Sequence, residues 1–598
     1  MASEGDNTSV YIYNGVGRVP RNVTHVRVDP SVTVIPQDAF FNSQQLVEVK
    51  LPEGLIRIEV RAFYKCNSLK TINIPSTVTE IGDYAFDECE KLVVAHLPEG
   101  LQRLGGWAFH HCTSLQRINI PPDIEVIKEG AFCHCHSLAD ITFPERLREI
   151  EMDAFSRCMT LVSVTLPSSL RDVGEEAFEG CTRLNEIHMP DTLESIEARA
   201  FKKCNFTNFR MPSSLGNYID ISIVGGNTSL VSLELPETAG HFEDRYNNTE
   251  EYYTDLSVRN IALPSNCVTN TTALNHCTEL GVVFPDADVD TISTALKTRF
   301  NDLPIHKICY YQSYHDTETT LQHIRREINP WTSKPPGQLN LTGKEQDCLG
   351  MTPLHILACS TKPTIEMYRL LIDKYPETLT MKDKWGDIPL LYAFWCNAQT
   401  EVIELLVERY KTLQPDYEFD WKGMLLTMAK RHVPLANVQA LINTQQDRFP
   451  EQECDMQPIV MELVVYDTNQ TGPRRRYTSI KTFKYLLRVS ISKRLESLDV
   501  KRFQVDMENS INAVSLAKGR EEDTRAIYDR LAAYEITKEG ASILELALWK
   551  AKLNESRNKR ARVDGEVSYR DQCRVSCGAD IIIRNVLHYL SPKRIEWT

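Results

Sequence analysis

Apolar and polar positions recur with a single period between residues 30 and 213. The pair Ala-Phe stands at Ala39/Phe40, Ala62/Phe63, Ala85/Phe86, Ala108/Phe109, Ala131/Phe132, Ala154/Phe155, Ala177/Phe178 and Ala200/Phe201, each copy 23 residues after the last. Three residues beyond each Phe comes Cys66, Cys89, Cys112, Cys135, Cys158, Cys181 or Cys204, with Ser43 in the first copy. Leu46, Leu69, Leu92, Leu115, Leu138, Leu161 and Leu184 form the next column, and Pro52, Pro75, Pro98, Pro121, Pro144, Pro167 and Pro190 the last. A fixed period of this length marks a solenoid, in which each repeat buries its apolar face against its neighbours.

Between the Leu and Pro columns the residues alternate, as in Ile72/Ile74, Ile118/Ile120, Ile141/Phe143 and Val164/Leu166, with polar residues between. Alternation over so short a run predicts a half-buried strand, and the proline, having no N–H, ends it. Stacked copies predict a parallel sheet with strands about 4.8 Å apart. A second apolar pair, such as Leu101/Leu104 or Leu170/Val173, leads into the Ala-Phe turn. The pattern A-F-x-x-C-x-x-L-x-x-I-x-I-P resembles the BspA-type leucine-rich repeats found in bacteria and unicellular eukaryotes. That resemblance covers residues 30–213 and implies a parallel solenoid. Weaker half-repeats at Met211-Pro212, Leu235-Pro236, Leu263-Pro264 and from Cys277-Thr278-Glu279-Leu280 to Phe284-Pro285 extend the expected domain to 1–300.

A different pattern follows. Thr352-Pro353-Leu354-His355-Ile356-Leu357-Ala358 is echoed by Pro304-Ile305-His306, Ile388-Pro389-Leu390 and Met424-Leu425-Leu426. The anchors Pro353, Pro389 and Leu425 stand 36 residues apart, with Gly350, Gly386 and Gly423 before them at an expected turn. These residues resemble ankyrin repeats, whose T-P-L-H motif opens the first of two antiparallel helices; in that motif His306 and His355 tie down the turn. Second helices are expected around Met367, Leu370, Leu371 and around Val402, Leu405, Leu406. The domain reading is therefore 301–450 as ankyrin-like helical repeats with a loop near 329–346, and 451–598 as a helical C-terminal region with basic loops. The fold class is an α+β repeat protein: a parallel β-solenoid, then an α-helical solenoid, then further helices. In the last region Tyr466–Tyr477 reads as a loop, and Ile543–Leu553 and Ile581–Leu590 as packed helices. Cys573 and Cys577 read as core thiols.

Composition narrows the function classes. The chain of 598 residues has a formal charge of -14, 42% hydrophobic and 25% charged residues. A negative field argues against broad attraction to nucleic acid or anionic membranes. The start of the chain shows no signal-peptide pattern and no stretch has transmembrane length, so the expected location is cytoplasmic, with Lys559-Arg560-Ala561-Arg562 as a candidate nuclear-import run. The 17 cysteines are then expected as reduced thiols, and the repeated Cys column as small core residues, not a ladder of metal or redox ligands.

Metal-ligand types stack at one place, setting His110 by Cys133 and His111 by His134 in adjacent repeats; no metal and no other cofactor is assigned there. Phosphate loops, Rossmann fingerprints, nucleophile elbows and H-E-x-x-H are missing from the sequence, and no catalytic residues are assigned. The candidate site is the solvent side of the strands: Glu48, Lys50, Thr71, Asn73, His96, Arg117, Asn119, Asp140, Thr142, Ser163, Thr165, Glu186 and His188. Small, polar and mixed in charge, this face suits protein recognition better than nucleic acid. The reading is an intracellular scaffold or adaptor with protein partners. A surface or secreted adhesion protein, and an adaptor recruiting an enzyme through its C-terminal helices, are the alternatives.

Overall fold

The structure, a computed structural model, describes residues 10–489 apart from 216–217, 245–255, 270, 329–342, 453, 457, 461, 464–478, 480, 484 and 487–488. The expected loop around Pro335, the loop Tyr466–Tyr477, the helices Ile543–Leu553 and Ile581–Leu590, Lys559–Arg562, Cys573 and Cys577 lie outside the described residues. The chain divides into two compact units, Met1–Leu406 and Val407–Thr598.

The first unit opens with a parallel β-solenoid of about ten coils of about 23 residues. The alternating segments are three-residue strands, including Glu48–Lys50, Thr71–Asn73, Val94–His96, Arg117–Asn119, Asp140–Thr142, Ser163–Thr165 and Glu186–His188. Neighbours pair in parallel one repeat apart, as in Ile72 with Ala95, Ile118 with Ile141 and Val164 with Ile187. The central residue of each strand points inward and the flanking two face solvent, as a period of two requires.

Each coil also carries a second strand that the sequence reading treated only as an apolar pair. Two-residue strands such as Arg57–Ile58, Glu80–Ile81 and Arg103–Leu104 form one further parallel sheet, and Val126–Ile127, Glu149–Ile150, Asp172–Val173 and Ser195–Ile196 another. Two residues are too few for alternation to register as a period.

The Ala-Phe turns close the coil. Phe63, Phe86, Phe109, Phe132, Phe155 and Phe178 are fully buried and stack ring on ring, with centroids 5.1–5.7 Å apart between consecutive members of that series. Their amides bond across coils, Phe63 to the Ala85 carbonyl and Phe109 to that of Ala131. Alanine is needed beside them because its neighbours in the next coil approach at hydrogen-bond distance. Each turn holds two residues in the left-handed region: Arg61, Tyr84, Trp107, Asp153, Glu176 and Arg199 before Ala, and Lys65, Glu88, His111, His134, Arg157 and Lys203 before Cys, with φ between 53° and 61°. Non-glycine residues rarely adopt this conformation, so inter-coil bonding here outweighs a local cost of about 1–2 kcal/mol per residue. Gly130 takes the same place where Trp107 lies across it; a Cβ there would sit 2.3 Å from the indole.

The Cys column is interior. Each thiol is buried and donates to the carbonyl of a Phe 26 residues earlier, as Cys112 to Phe86 at 3.2 Å and Cys158 to Phe132 at 3.3 Å. None of the described cysteines is in a disulfide. At the next coil Asn227, 23 residues after Cys204, makes the equivalent bond to Phe201 at 2.9 Å. The repeat thus persists where its letters change, because an amide N–H serves as well as a thiol.

The later coils merge into helices. Asn208–Arg210 pairs with Ser232–Glu234, and Tyr218–Asp220 with His241–Glu243 and then Val268–Thr269. Cys277 ends the ladder in a bridge to Leu256, and the segment from Thr278 to Val283 is helical. Helices follow at Val289–Thr298, Pro304–Tyr311, Thr317–Ile328, Pro353–Ala358, Ile365–Lys374, Pro389–Trp395 and Thr400–Leu413. Met367, Leu371, Val402, Leu405 and Leu406 are buried.

Turns of one design precede two of these helices. Asp347 accepts from the amides of Leu349 and Met351, and Asp383, 36 residues on, from those of Trp385 and Asp387. Gly350 and Gly386 turn the chain with φ of 74° and 87°. Thr352 and His355 form a capping box, and the other ring nitrogen of His355 bonds the Asp387 carbonyl at 3.1 Å. His306 does the same to the Met351 carbonyl at 3.2 Å. Gly423 departs from the expected turn: it lies inside the helix Trp421–Lys430, whose cap Asp420 accepts its amide.

Three buried groups tie the solenoid's end to these helices. Arg299 bonds Asp347 at 2.8 Å, Asn260 at 2.9 Å and the Ile261 carbonyl at 2.8 Å, with both charged side chains fully buried. Arg259 bonds Asp387 at 2.6 Å and lies over Trp385 and Trp395. Glu234 accepts from Ser313, from the Thr361 amide at 2.8 Å and from its hydroxyl at 3.0 Å. The second unit starts within the helix Thr400–Leu413. It packs Tyr410, Tyr417, Phe419, Trp421 and Phe449 into one aromatic cluster, with Gln452 accepting from the Phe419 amide and the Trp421 indole.

Candidate partner-binding face

The strand pairing sets the candidate residues in rows across the coils. Lys50, Thr71, Asn73, His96, Arg117, Asn119, Asp140, Thr142, Ser163, Thr165, Glu186 and His188 are exposed, and Glu48 is half-buried. Register aligns Thr71 with Val94 and then Arg117 and Asp140 in one row, and Asn119 with Thr142 in another. Ser163 meets Glu186, and Thr165 meets His188. The two rows come from alternate positions of the same strands, so their spacing is fixed by the backbone and not by side-chain contacts.

Not every member is free to meet a partner. Asn119 is spent on the sheet itself: its amide nitrogen donates to the Leu97 carbonyl at 3.0 Å and its oxygen accepts the Leu97 amide at 3.3 Å. Lys50 pairs with Glu48 at 3.5 Å, and His188 with Glu186 at 3.5 Å, within single exposed strands where such pairs contribute little. Arg117, Asp140, Thr142, Ser163, Thr165, Thr71, Asn73 and His96 make up the remaining surface.

The second sheet presents a different face. There Arg103 pairs with Glu80 at 3.0 Å, and in the segments flanking its strands Lys128 pairs with Glu151 at 2.6 Å and Arg146 with Asp123 at 2.8 Å, each between neighbouring coils. The sequence reading missed this charge ladder, although opposite charges at a spacing of 23 residues were its available signal.

The metal-ligand candidates cluster, the His110 ring lying 4.2 Å from that of His111 and 5.9 Å from that of His134, but they differ in their partners. His110 places Nδ1 2.9 Å from Asp87, itself buried, and meets Trp107 edge-on. His111 stacks on His134 with centroids 4.3 Å apart, and His134 adjoins His136, which the sequence reading did not single out. Burial, then the neighbouring cations and imidazoles, push His134 down to about 4; burial also lowers His111. Burial pushes the Cys133 thiol up to about 12. Among the described residues, no group of three or more His, Cys, Asp and Glu side chains is arranged to hold a metal ion.

Acidic turns carry a second perturbed group. Burial and the adjacent Glu179 raise Glu176 to about 7, while Lys202 and Lys203 hold Glu179 below its ordinary range against its own burial. Arg199 bridges Glu175 and Glu176. These charges neutralise one another across two adjacent turns, an arrangement that fixes the turns in place.

Residues 19–225 match the family described as the BspA type leucine rich repeat region, in six copies. No curated protein matches the chain at a significant level. Among solved structures it is similar to the Treponema leucine-rich repeat protein of T. pallidum, at 28% identity over 27% of this chain and 76% of that one, with a TM-score of 0.23. It is also similar to a leucine rich cell surface protein from Faecalibacterium prausnitzii A2-165, at 23% identity over 46% and 90% with a TM-score of 0.31. The pneumococcal vaccine antigen PcpA shares 18% identity over 45% and 80%, with a TM-score of 0.29. No helix among the described residues is long and apolar enough to cross a membrane. The region that matches this family holds every residue of the candidate face.

Proposed function

We propose that this protein is an intracellular scaffold that recognises a protein partner through the exposed strand face from Thr71 to Thr165, without catalysis of its own. The observation that carries this reading is the face itself: polar side chains in two rows, held by paired strands and a stacked Phe interior, with few internal ion pairs. A pre-formed surface limits the ordering cost of binding. The free, buried thiols of the Cys column suit a reducing compartment and support a cytoplasmic location. The turns at Asp347 and Asp383, with Thr352, Pro353 and His355, support the ankyrin-like reading of the helical pairs, which would offer a further protein-binding element.

The test is affinity purification of the full chain from its native cell under reducing conditions, then hydroxyl-radical footprinting of the complex. Protection of His96, Arg117 and their row neighbours is expected. Protection confined to the second sheet, or recovery of the chain only from outside the cell, contradicts the proposal.

A further inference from the structure

The turn His134-Cys135-His136 sets two imidazoles side by side, with ring centroids 5.5 Å apart. His134 has φ of 61°, and the His136 amide donates back to the His134 carbonyl at 3.0 Å. That tight turn places side chains two residues apart beside each other, with His134 Nδ1 3.4 Å from His136 Nε2. The distance is at the long end of hydrogen-bond contact. It is, however, the separation that one tetrahedral ion imposes: with each nitrogen about 2.0–2.1 Å from the metal, the two nitrogens stand about 3.3–3.4 Å apart. His111 of the preceding coil stacks on the His134 ring at 15° and limits its rotation. His110 takes no part, being paired with Asp87.

We propose that His134 and His136 form a two-imidazole site for a divalent ion of the zinc class, with water in the remaining positions. The backbone of a rigid coil sets the bite, so little rearrangement accompanies binding. Arg157, one coil on at the position equivalent to His134, opposes the ion by its charge. Two imidazoles are fewer than a structural zinc site uses, so the ion remains open to exchange.

The experiment uses the full chain without a histidine tag. Zinc is titrated calorimetrically, and cobalt is followed by its visible absorption. One equivalent of zinc is expected, weakened at least about tenfold in His136→Ala and in His134→Gln, the scale at which losing a ligand usually acts. Arg157→Ala is expected to tighten binding about threefold, since removing a like charge favours the ion. His136 sits on a half-exposed turn, and circular dichroism of the variants checks that the fold is kept. Zinc affinity unchanged in both histidine variants, or no zinc bound by the parent chain, overturns the proposal.

Discussion

The regular coils and the junction with the helices are stabilised by opposite means. From Phe40 to Phe201 the interior is largely apolar and repeated, each coil offering its neighbour the same Phe ring and paired strands and, after the first with Ser43, the same thiol. From Glu234 to Tyr392 the interior carries buried charges, each satisfied by partners that occur once. Repetition lets a coil tolerate variation at its turns, whereas a unique buried ion pair fails when either partner is lost.

The sharpest way to break that comparison is at Arg299. Asp347→Ala leaves a buried guanidinium without its carboxylate and is expected to destabilise the first unit by about 3–5 kcal/mol, measured by urea denaturation. A double change, Arg299→Met with Asp347→Leu, is expected to recover only part of the loss, because it removes the unpaired charge but leaves the Leu349 and Met351 amides and the Ile261 carbonyl without their partners. A single change costing under about 1 kcal/mol would mean that the junction is not held by this pair.

In the coils the matching change is Phe109→Ala, expected to cost about 3–5 kcal/mol. Its counterparts at Phe86 and Phe132 should agree with it within about 1 kcal/mol, since the three sites share one environment. A wide spread among them would show that the coils are not equivalent.

Acid acts on both regions, through His134 in the coils and through two histidines among the helices. Burial holds both His306 and His355 down to about 4. The unfolded imidazole binds its proton near pH 6.5, so between about pH 6.5 and 4 the unfolded state holds more protons and stability falls as pH falls. The two together are expected to remove on the order of 4–6 kcal/mol over that window. His355 accepts the Thr352 amide at Nδ1 and donates from Nε2 to Asp387, so protonating Nδ1 ejects that amide. His355→Gln should flatten part of the dependence in chemical denaturation at pH 5 and 7.5; an unchanged slope contradicts the assignment.

The smallest effect sharpens the turn argument. Arg157→Gly relieves a left-handed residue with an exposed side chain and is expected to add about 1 kcal/mol of stability. Loss of stability there would mean that the arginine side chain, not the backbone, holds the turn.

The same contrast explains what the sequence made legible. Columns such as Phe109 and Cys112 repeat because their environments repeat, so the coils, the three-residue strand of each and its inward side were readable from spacing alone, while the two-residue strands were not. Asn227, 23 residues past Cys204, was not read as a member of the column, because the sequence defines it by a letter and the structure by a hydrogen bond. Arg259, Arg299 and Glu234 gave no such signal. A buried charge declares itself only through partners far along the chain, such as Asp347 and Asp387, and no period links them. In the candidate face, exposure followed from alternation, but the use of Asn119 by the sheet did not, since an exposed amide and a strand-pairing amide occupy the same place in the pattern.

The central claim, that function resides in the variable letters of the first sheet, is tested most directly by charge reversal on the two sheets side by side. The partner recovered with the full chain is titrated against Arg117→Glu/Asp140→Lys on the strand face and against Arg103→Glu/Asp172→Lys on the second sheet, with circular dichroism to confirm folding. The expected result is at least about a tenfold loss for the first variant, as for charges at a recognition surface, and binding within about twofold of the parent for the second. Equal binding by the first variant, or loss only in the second, would contradict the claim.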